Sequence, residues 1–268
     1  MIDRGKRNVM GIMVDALDYD AAAERLIRAA QERRPCAATA LAVHGVMTGV
    51  ADVEHRHRLN TFELVTPDGQ PVRWALNLLT GAGLRDRVYG PTLTTEVLAR
   101  ASELGLPVYF YGSTEEVLRR LVANVRRRWP DLVVAGTRPS MFRPTSAQEK
   151  DDTVRTIRGS GARVVFVGLG CPRQEVFCYE YREHLDMPLV AVGAAFDYHA
   201  GTVGEPPGFV QRWGLQWLYR LAQQPRRLWR RYLVYNPQFL LRLVAQRLGI
   251  WRPDPSLTRP PRHELSYG

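Results

Sequence analysis

The 268-residue sequence predicts an α/β protein, with a mostly parallel sheet covered by helices on both faces and a basic helical appendage behind it. Three observations carry this. Short runs of consecutive apolar residues alternate with stretches of helical spacing, which is the composition of strands buried on both faces. Glycines follow several of those runs, where strand-to-helix turns need backbone freedom. The excess positive charge is confined to the last quarter of the chain.

Residues 8–14 and 36–43 read as short strands on either side of a helix over 19–33, in which Tyr19, Ala22, Leu26 and Ala29 share a face. Asp18-Tyr19-Asp20 has the look of a metal-binding acidic triplet. Its position before a helical stretch favours N-capping instead, so no metal is assigned to it. The apolar-rich Phe62–Val65 leads into Thr66-Pro67-Asp68-Gly69-Gln70, a turn whose aspartate and glycine have ordinary backbone reasons to be there. Leu106–Tyr111 reads as a buried strand running into Gly112-Ser113-Thr114. Ser113 and Glu116 have capping-box spacing, which starts a helix that runs to about Trp129. Leu132–Ala135 is a further strand, and Ser146 with Glu149 starts a helix that runs to Ser160. Arg163–Gly168 and Pro188–Gly193 are two more strands, joined by a helix from about Pro172 to His184. This alternation is Rossmann-like. It ends near Pro206-Pro207, giving an α/β domain over 1–207. Residues 208–250 form helical pieces interrupted by Pro225 and Pro237. The Pro/Arg-rich 251–268 is expected to lack fixed structure.

Hydrophobic and charged fractions of 45% and 24% exclude a wholly disordered chain. Cys36, Cys171 and Cys178 form no metal spacing, and an odd count speaks against a disulfide framework, so reduced cytosolic thiols are expected. The first thirty residues have neither signal-peptide nor transit-peptide character. No apolar run reaches the ~18 residues that a bilayer span requires. From Gly208 onward there are eleven arginines, no lysine, and only Asp254 and Glu264 as acids, so this segment holds +9 of the net +10. It also holds four of the six tryptophans: Trp213, Trp217, Trp229 and Trp251. Val210, Trp213, Gly214, Trp217, Leu218 and Leu221 share one helical face. Arg226-Arg227 and Arg230-Arg231 repeat four residues apart. A solvated helix face and a nucleic-acid patch both fit such charge. Tryptophan at headgroup depth with arginine on lipid phosphate fits better, because a merely soluble face usually includes lysine. The appendage therefore reads as membrane-docking.

In an open parallel sheet, ligands bind at the carboxyl ends of the strands. Three turns there have phosphate-binding composition: 111–114, 168–175 and 193–201. The first two present free amides at a helix start. Taken singly each is more often a tight turn, and neither a Walker lysine nor a GxGxxG run is present. His44 and His199 have no partners at metal-ligand spacing.

With these residues in order, the chain resembles the WecG/TagA/CpsF glycosyltransferases, glycosyltransferase family 26, over roughly residues 8–240. The matching runs are Thr66-Pro-Asp-Gly-Gln-Pro-Val, Arg87-Val-Tyr-Gly-Pro, Val108-Tyr-Phe-Tyr-Gly-Ser, Val165-Phe-Val-Gly-Leu-Gly-Cys-Pro-Arg-Gln-Glu and Val192-Gly-Ala-Ala-Phe-Asp-Tyr-His-Ala-Gly. Gly214-Leu-Gln-Trp-Leu-Tyr-Arg-Leu and Pro225-Arg-Arg-Leu-Trp-Arg-Arg-Tyr-Leu complete them. The resemblance implies inverting transfer of N-acetylmannosamine, its uronic acid or glucose from a UDP donor, with no metal or other cofactor. The acceptor would be a polyprenyl-pyrophosphate-linked saccharide at the cytoplasmic face of the bacterial inner membrane, on anionic lipids, without nucleic acid. It puts the general base on Asp68, with Asp197 as a rival. Gly112, Ser113, Gly170, Gln174 and Asp197 fall to the donor, and Arg220, Arg227 and Arg230 to the acceptor pyrophosphate. The sequence departs from the family where Thr-x-Asn often ends the strand before His44. Ala40 and Ala42 stand there, with Thr39 one residue off, which brings a glucosyltransferase into consideration. Two other classes remain as alternatives: a non-catalytic membrane-associated scaffold of polysaccharide assembly, and, further behind, a basic nucleic-acid-binding protein.

Overall fold

A computed structural model describes residues 1–204, 216–223 and 225–268, with the side chains of Gln216, Arg220, Arg227, Arg230 and Arg231 also outside the described set. The chain opens on an antiparallel hairpin, Asp3–Val9 (β1) and Ile12–Leu17 (β2). A single strand over 8–14 is thus corrected to two. The chain reverses at Met10 and Gly11, whose φ values of 58° and 89° end the extended run.

Helix α1 (Tyr19–Gln31) follows, and Asp18 is its cap, accepting from the Ala21 amide at 3.0 Å. Next come β3 (Cys36–Leu41), α2 (Val43–Ala51), α3 (Val53–Asn60), β4 (Leu64–Pro67), α4 (Gln70–Thr80), α5 (Gly90–Glu103) and β5 (Val108–Gly112). Then come α6 (Glu115–Arg128), β6 (Val134–Arg138), α7 (Ala147–Gly159), β7 (Val164–Gly168), α8 (Arg173–Tyr181), β8 (Pro188–Ala191) and α9 (Ala195–His199). The cap of α6 is Thr114, not Ser113 as the spacing suggested, because Ser113 has φ 58° and its neighbour's hydroxyl accepts from Val117. Ser146 and Glu149 do form the expected reciprocal capping box of α7.

Six strands form one parallel sheet in the order β4-β3-β8-β7-β5-β6. Side chains alternate across it. Val165, Val167, Tyr109, Tyr111, Leu189 and Ala191 face the layer that contains α2, α4, α7 and α8. Val164, Phe166, Val108, Phe110 and Val190 face α1, α5, α6 and α9. Both faces are dry, so continuous apolar strands are what the layers demand.

Beyond the first 204 residues lie α10 (Gln216–Gln223), α11 (Pro225–Leu233) and α12 (Tyr235–Arg247). Helix α12 lies against α2 and α4 and buries Phe239 and Leu243 in the core on that side of the sheet. Residues 251–268, expected without fixed structure, instead lie along the body as a strap. Asn8 and Asn60 donate to the Pro253 and Pro255 carbonyls at 2.8 and 3.1 Å, and Arg259 pairs with Glu54. Further along, the Leu265 and Ser266 amides donate to the Glu180 carboxylate at 2.7 and 2.9 Å. Among the described residues no helix is long and apolar enough to cross a membrane.

Candidate functional site

Helix α8 leaves β7 on one face of the sheet and α9 leaves the adjacent β8 on the other. Connections that part in this way open a crevice at the carboxyl ends of the strands. A cleft of about 700 Å³ occupies it. The turn after β4 supplies Asp68, the turn after β5 Ser113 and Thr114, and the turn after β7 Gly168 to Glu175. Val192 to Ala194 and Asp197 follow β8, and Leu228 of α11 and Tyr235 of α12 close the opening. The volume is within the range of small-molecule sites.

Asp68 is half-buried and held by its backbone. Its amide donates to the Leu41 carbonyl at 3.1 Å, which ties the turn to the neighbouring strand. Gly69, at φ 114°, takes a conformation open to glycine and begins α4. The Asp68 Oδ2 atom lies 3.5 Å from the Gly90 amide at the first turn of α5, a favourable place for a carboxylate. Gly90 is packed at the same point: a Cβ there would meet the Val192 carbonyl at 3.3 Å, the Ala40 side chain at 3.4 Å and Asp68 Oδ2 at 3.5 Å.

Across the cleft, Ser113 donates its amide to the Gly168 carbonyl at 3.1 Å, which locks the β5 and β7 turns together. Gly112 lies beneath this contact and does not line the cleft. A Cβ on it would stand 2.8 Å from the Gly168 carbonyl carbon, so its place is explained by backbone approach. Gln174 is buried. Its Oε1 accepts from the Gly170 amide at 3.1 Å, and its Nε2 donates to Glu175 Oε1 at 2.9 Å. The hydroxyl of Thr39 donates to the same Glu175 oxygen at 3.0 Å. Burial pushes the Glu175 carboxyl above the usual carboxylate range, with the Gln174 and Thr39 hydrogen bonds opposing.

Of the residues read from the sequence, the cleft brings together Asp68, Ser113, Gly170, Gln174 and Asp197. The side chains of Arg220, Arg227 and Arg230 lie outside the described residues, so their placement is not stated; the helices that carry them are α10 and α11. Ala40 and Ala42 line the cleft, whereas Thr39 turns away and is buried against Glu175, so it does not take over a place in the wall. His44 lines the wall with its ring 5.2 Å from that of Tyr235, and His199 Nε2 lies 3.1 Å from the Pro91 carbonyl. Among the described residues no group of three His, Cys, Asp or Glu side chains is arranged to hold a metal ion. None of the three cysteines is in a disulfide; burial pushes the Cys36 thiol to about 12, and Cys178 also moves well above its ordinary value.

Sequence reasoning missed Glu175, Tyr89 and Tyr235 as parts of the site. Glu175 stands in the run Cys-Pro-Arg-Gln-Glu, but a glutamate in a first helical turn has an ordinary dipole reason to be there. Only the fold shows it buried.

A profile of the glycosyl transferase WecG/TagA/CpsF family matches residues 7–253. The chain belongs to this family, whose members are glycosyltransferases of cell-surface polysaccharide synthesis.

Proposed function

We propose that this family member transfers a sugar from a UDP donor, with inversion, to a saccharide carried on polyprenyl pyrophosphate, with Asp68 as the general base. The observation that carries the reading is the convergence, in one cleft, of the Asp68 carboxylate on one wall with the glycine-bearing turns of β5, β7 and β8 on the other. Ser113, Gly170 and Asp197 belong to the donor side, where amides at the starts of α6 and α8 meet a diphosphate. The acceptor hydroxyl gives its proton to Asp68 as its oxygen bonds to the anomeric carbon. The bond from that carbon to the UDP oxygen breaks, and its electron pair leaves with the diphosphate. In this reading the developing negative charge is met by turn amides, and no metal is assigned to the step. Ala40 and Ala42 offer no hydrogen-bonding side chain to the cleft, so glucose stays a candidate donor sugar beside N-acetylmannosamine and its uronic acid.

The same reading gives α10 to α12 to the membrane surface, with Arg220, Arg227 and Arg230 on the acceptor pyrophosphate. Its support is that Trp229, Leu233, Leu241, Leu248 and Ile250 are exposed in an arginine-rich segment that joins the cleft through Leu228 and Tyr235.

The test measures UDP release from a panel of UDP-sugars, with a short-chain prenyl-pyrophosphate-linked sugar as acceptor, for wild type and Asp68→Asn. Acceptor-dependent release with one donor, largely lost in the variant, is the expected result. Equal turnover in both proteins would remove Asp68 as the base and move the role to Asp197. No turnover with any donor, from folded and vesicle-bound protein, would favour a non-catalytic scaffold.

A further inference from the structure

The floor of the cleft contains a buried group that the transfer step does not use. Glu175 is buried in the first turn of α8, and among the described residues no ion pair reaches it. Its Oε1 accepts two hydrogen bonds, from the Thr39 hydroxyl at 3.0 Å and from Gln174 Nε2 at 2.9 Å. The Cys171 thiol also acts on the carboxyl. A buried carboxyl with no cation is costly when ionised, and the fold has kept it with an uncharged set of partners. Cys178 is also buried, and burial, with the Glu175 charge adding to it, pushes its thiol well above its ordinary value.

What the carboxyl holds in place is the amide of Gln174. With Nε2 committed to Glu175, Oε1 must point the other way. There it accepts the Gly170 amide at 3.1 Å and abuts Gly193, where a Cβ would stand 2.9 Å from it. Gly170 belongs to the turn after β7, and Gly193, at φ 51°, to the turn after β8. Were the amide reversed, its NH₂ would face the Gly170 N–H and its oxygen would face an acceptor, so one buried contact cannot be turned without losing the other.

The geometry points to Glu175 as a positioning residue: anchored by Thr39 of β3, it fixes the Gln174 amide in the single orientation that sets both glycine turns of the cleft floor. Its Oε1 is taken up by Thr39 and Gln174, so it acts through the Gln174 amide. Its effect on donor affinity rests on the proposed function; its effect on the turns does not.

The test therefore starts without a ligand. Amide hydrogen exchange is followed in segments 168–174 and 192–197 of the full-length protein, with strand β5 as internal reference. Glu175→Leu, which removes the acceptor, is expected to speed exchange at the Gly170 turn tenfold or more and to leave β5 unchanged. Glu175→Gln, which keeps a carbonyl oxygen for both donors, is expected within twofold of wild type. The inference is overturned if Glu175→Leu exchanges like wild type, or if Glu175→Gln is as fast as Glu175→Leu, since charge and not the acceptor would then matter. Should Glu175→Leu fail to fold, Gln174→Met cuts the same link from the other side. It should also speed Gly170 exchange, and unchanged exchange there would equally overturn the inference. UDP titration adds the functional arm, with Glu175→Leu expected to bind about tenfold more weakly and Glu175→Gln like wild type. If UDP does not bind to wild type, the functional reading fails, while the exchange result still judges the anchor.

Discussion

Residues 1–204 and residues 216–250 use apolar side chains in opposite ways. In the first region both faces of the sheet are lined by them and sealed by helices. In the second, one helix shows both uses. On α12, Leu243 is 6% exposed and belongs to the core, while Leu241, two positions earlier, is 72% exposed. Burying a leucine stabilises by about 1.5–3 kcal/mol, so a segment that leaves Leu241, Leu248 and Ile250 outside forgoes several such contributions. The difference teaches that residues 216–250 bury one set of apolar side chains in the core and expose another, and that apolar content by itself does not say which is which.

The comparison can be sharpened by removing what each region contributes. The largest expected effect is in the body. Asp68→Asn should lower turnover by roughly 10²–10⁴-fold, the usual range for losing a general base, with UDP affinity kept within a few-fold. A steady-state assay with a calorimetric titration separates the two.

Next come the two faces of α12. Leu243→Ala should cost about 2–5 kcal/mol in denaturant unfolding, whereas Leu241→Ala should lie within about 0.5 kcal/mol of wild type. Equal losses would erase the distinction drawn here between the faces.

A third effect is confined to the body and to acid. Burial pushes the imidazole of His55 down from 6.5 to about 4, with the Arg58 charge adding to it. The unfolded chain therefore takes up a proton that the folded chain refuses. The stability that His55 governs should be undiminished above pH 6.5 and fall as the pH drops towards 4, by about 3 kcal/mol in all. His55→Gln should flatten that part of the pH profile, whatever its effect at pH 8.

The smallest effect belongs to the exposed leucines of residues 216–250. Leu241→Ser with Leu248→Ser should weaken binding to anionic vesicles by about tenfold and leave the melting temperature unchanged. Undiminished vesicle binding would detach this face from the membrane reading.

Much of the body was legible because its layers impose strong local patterns. The strands at 36–41, 108–112, 164–168 and 188–191 are apolar on both faces, and the capping box at Ser146 is a purely local signal. The turn after β4 was legible as chemistry only through the family resemblance, since Asp-Gly is also ordinary turn material. The illegible parts depend on partners far away in the chain. Thr39 and Glu175 are 136 residues apart, and neither residue alone announces the buried bond between them. The strap after residue 250 has the composition of a disordered tail. It is held by single carboxylates and amides of α3 and α8, and composition does not record such partners.

The strap also bears on the order in which the protein is completed. The Met10 amide donates to the Gln246 side chain at 3.0 Å, Gln246 donates back to the Asn8 carbonyl at 3.1 Å, and Asn8 donates to Pro253. The tip of the β1–β2 hairpin is thus met by residues made some 240 positions later. Synthesis runs from the N-terminus, so the Met10 amide meets its Gln246 partner only some 240 residues later, while Asn8 and Asn60 already hold the Gly11 amide and carbonyl. Closing so long a loop is an entropic cost met only at the end. The helices that cover the cleft arrive with the same late segment, so a ribosome-bound chain short of residue 246 has the sheet's strands but not the finished enclosure around its site.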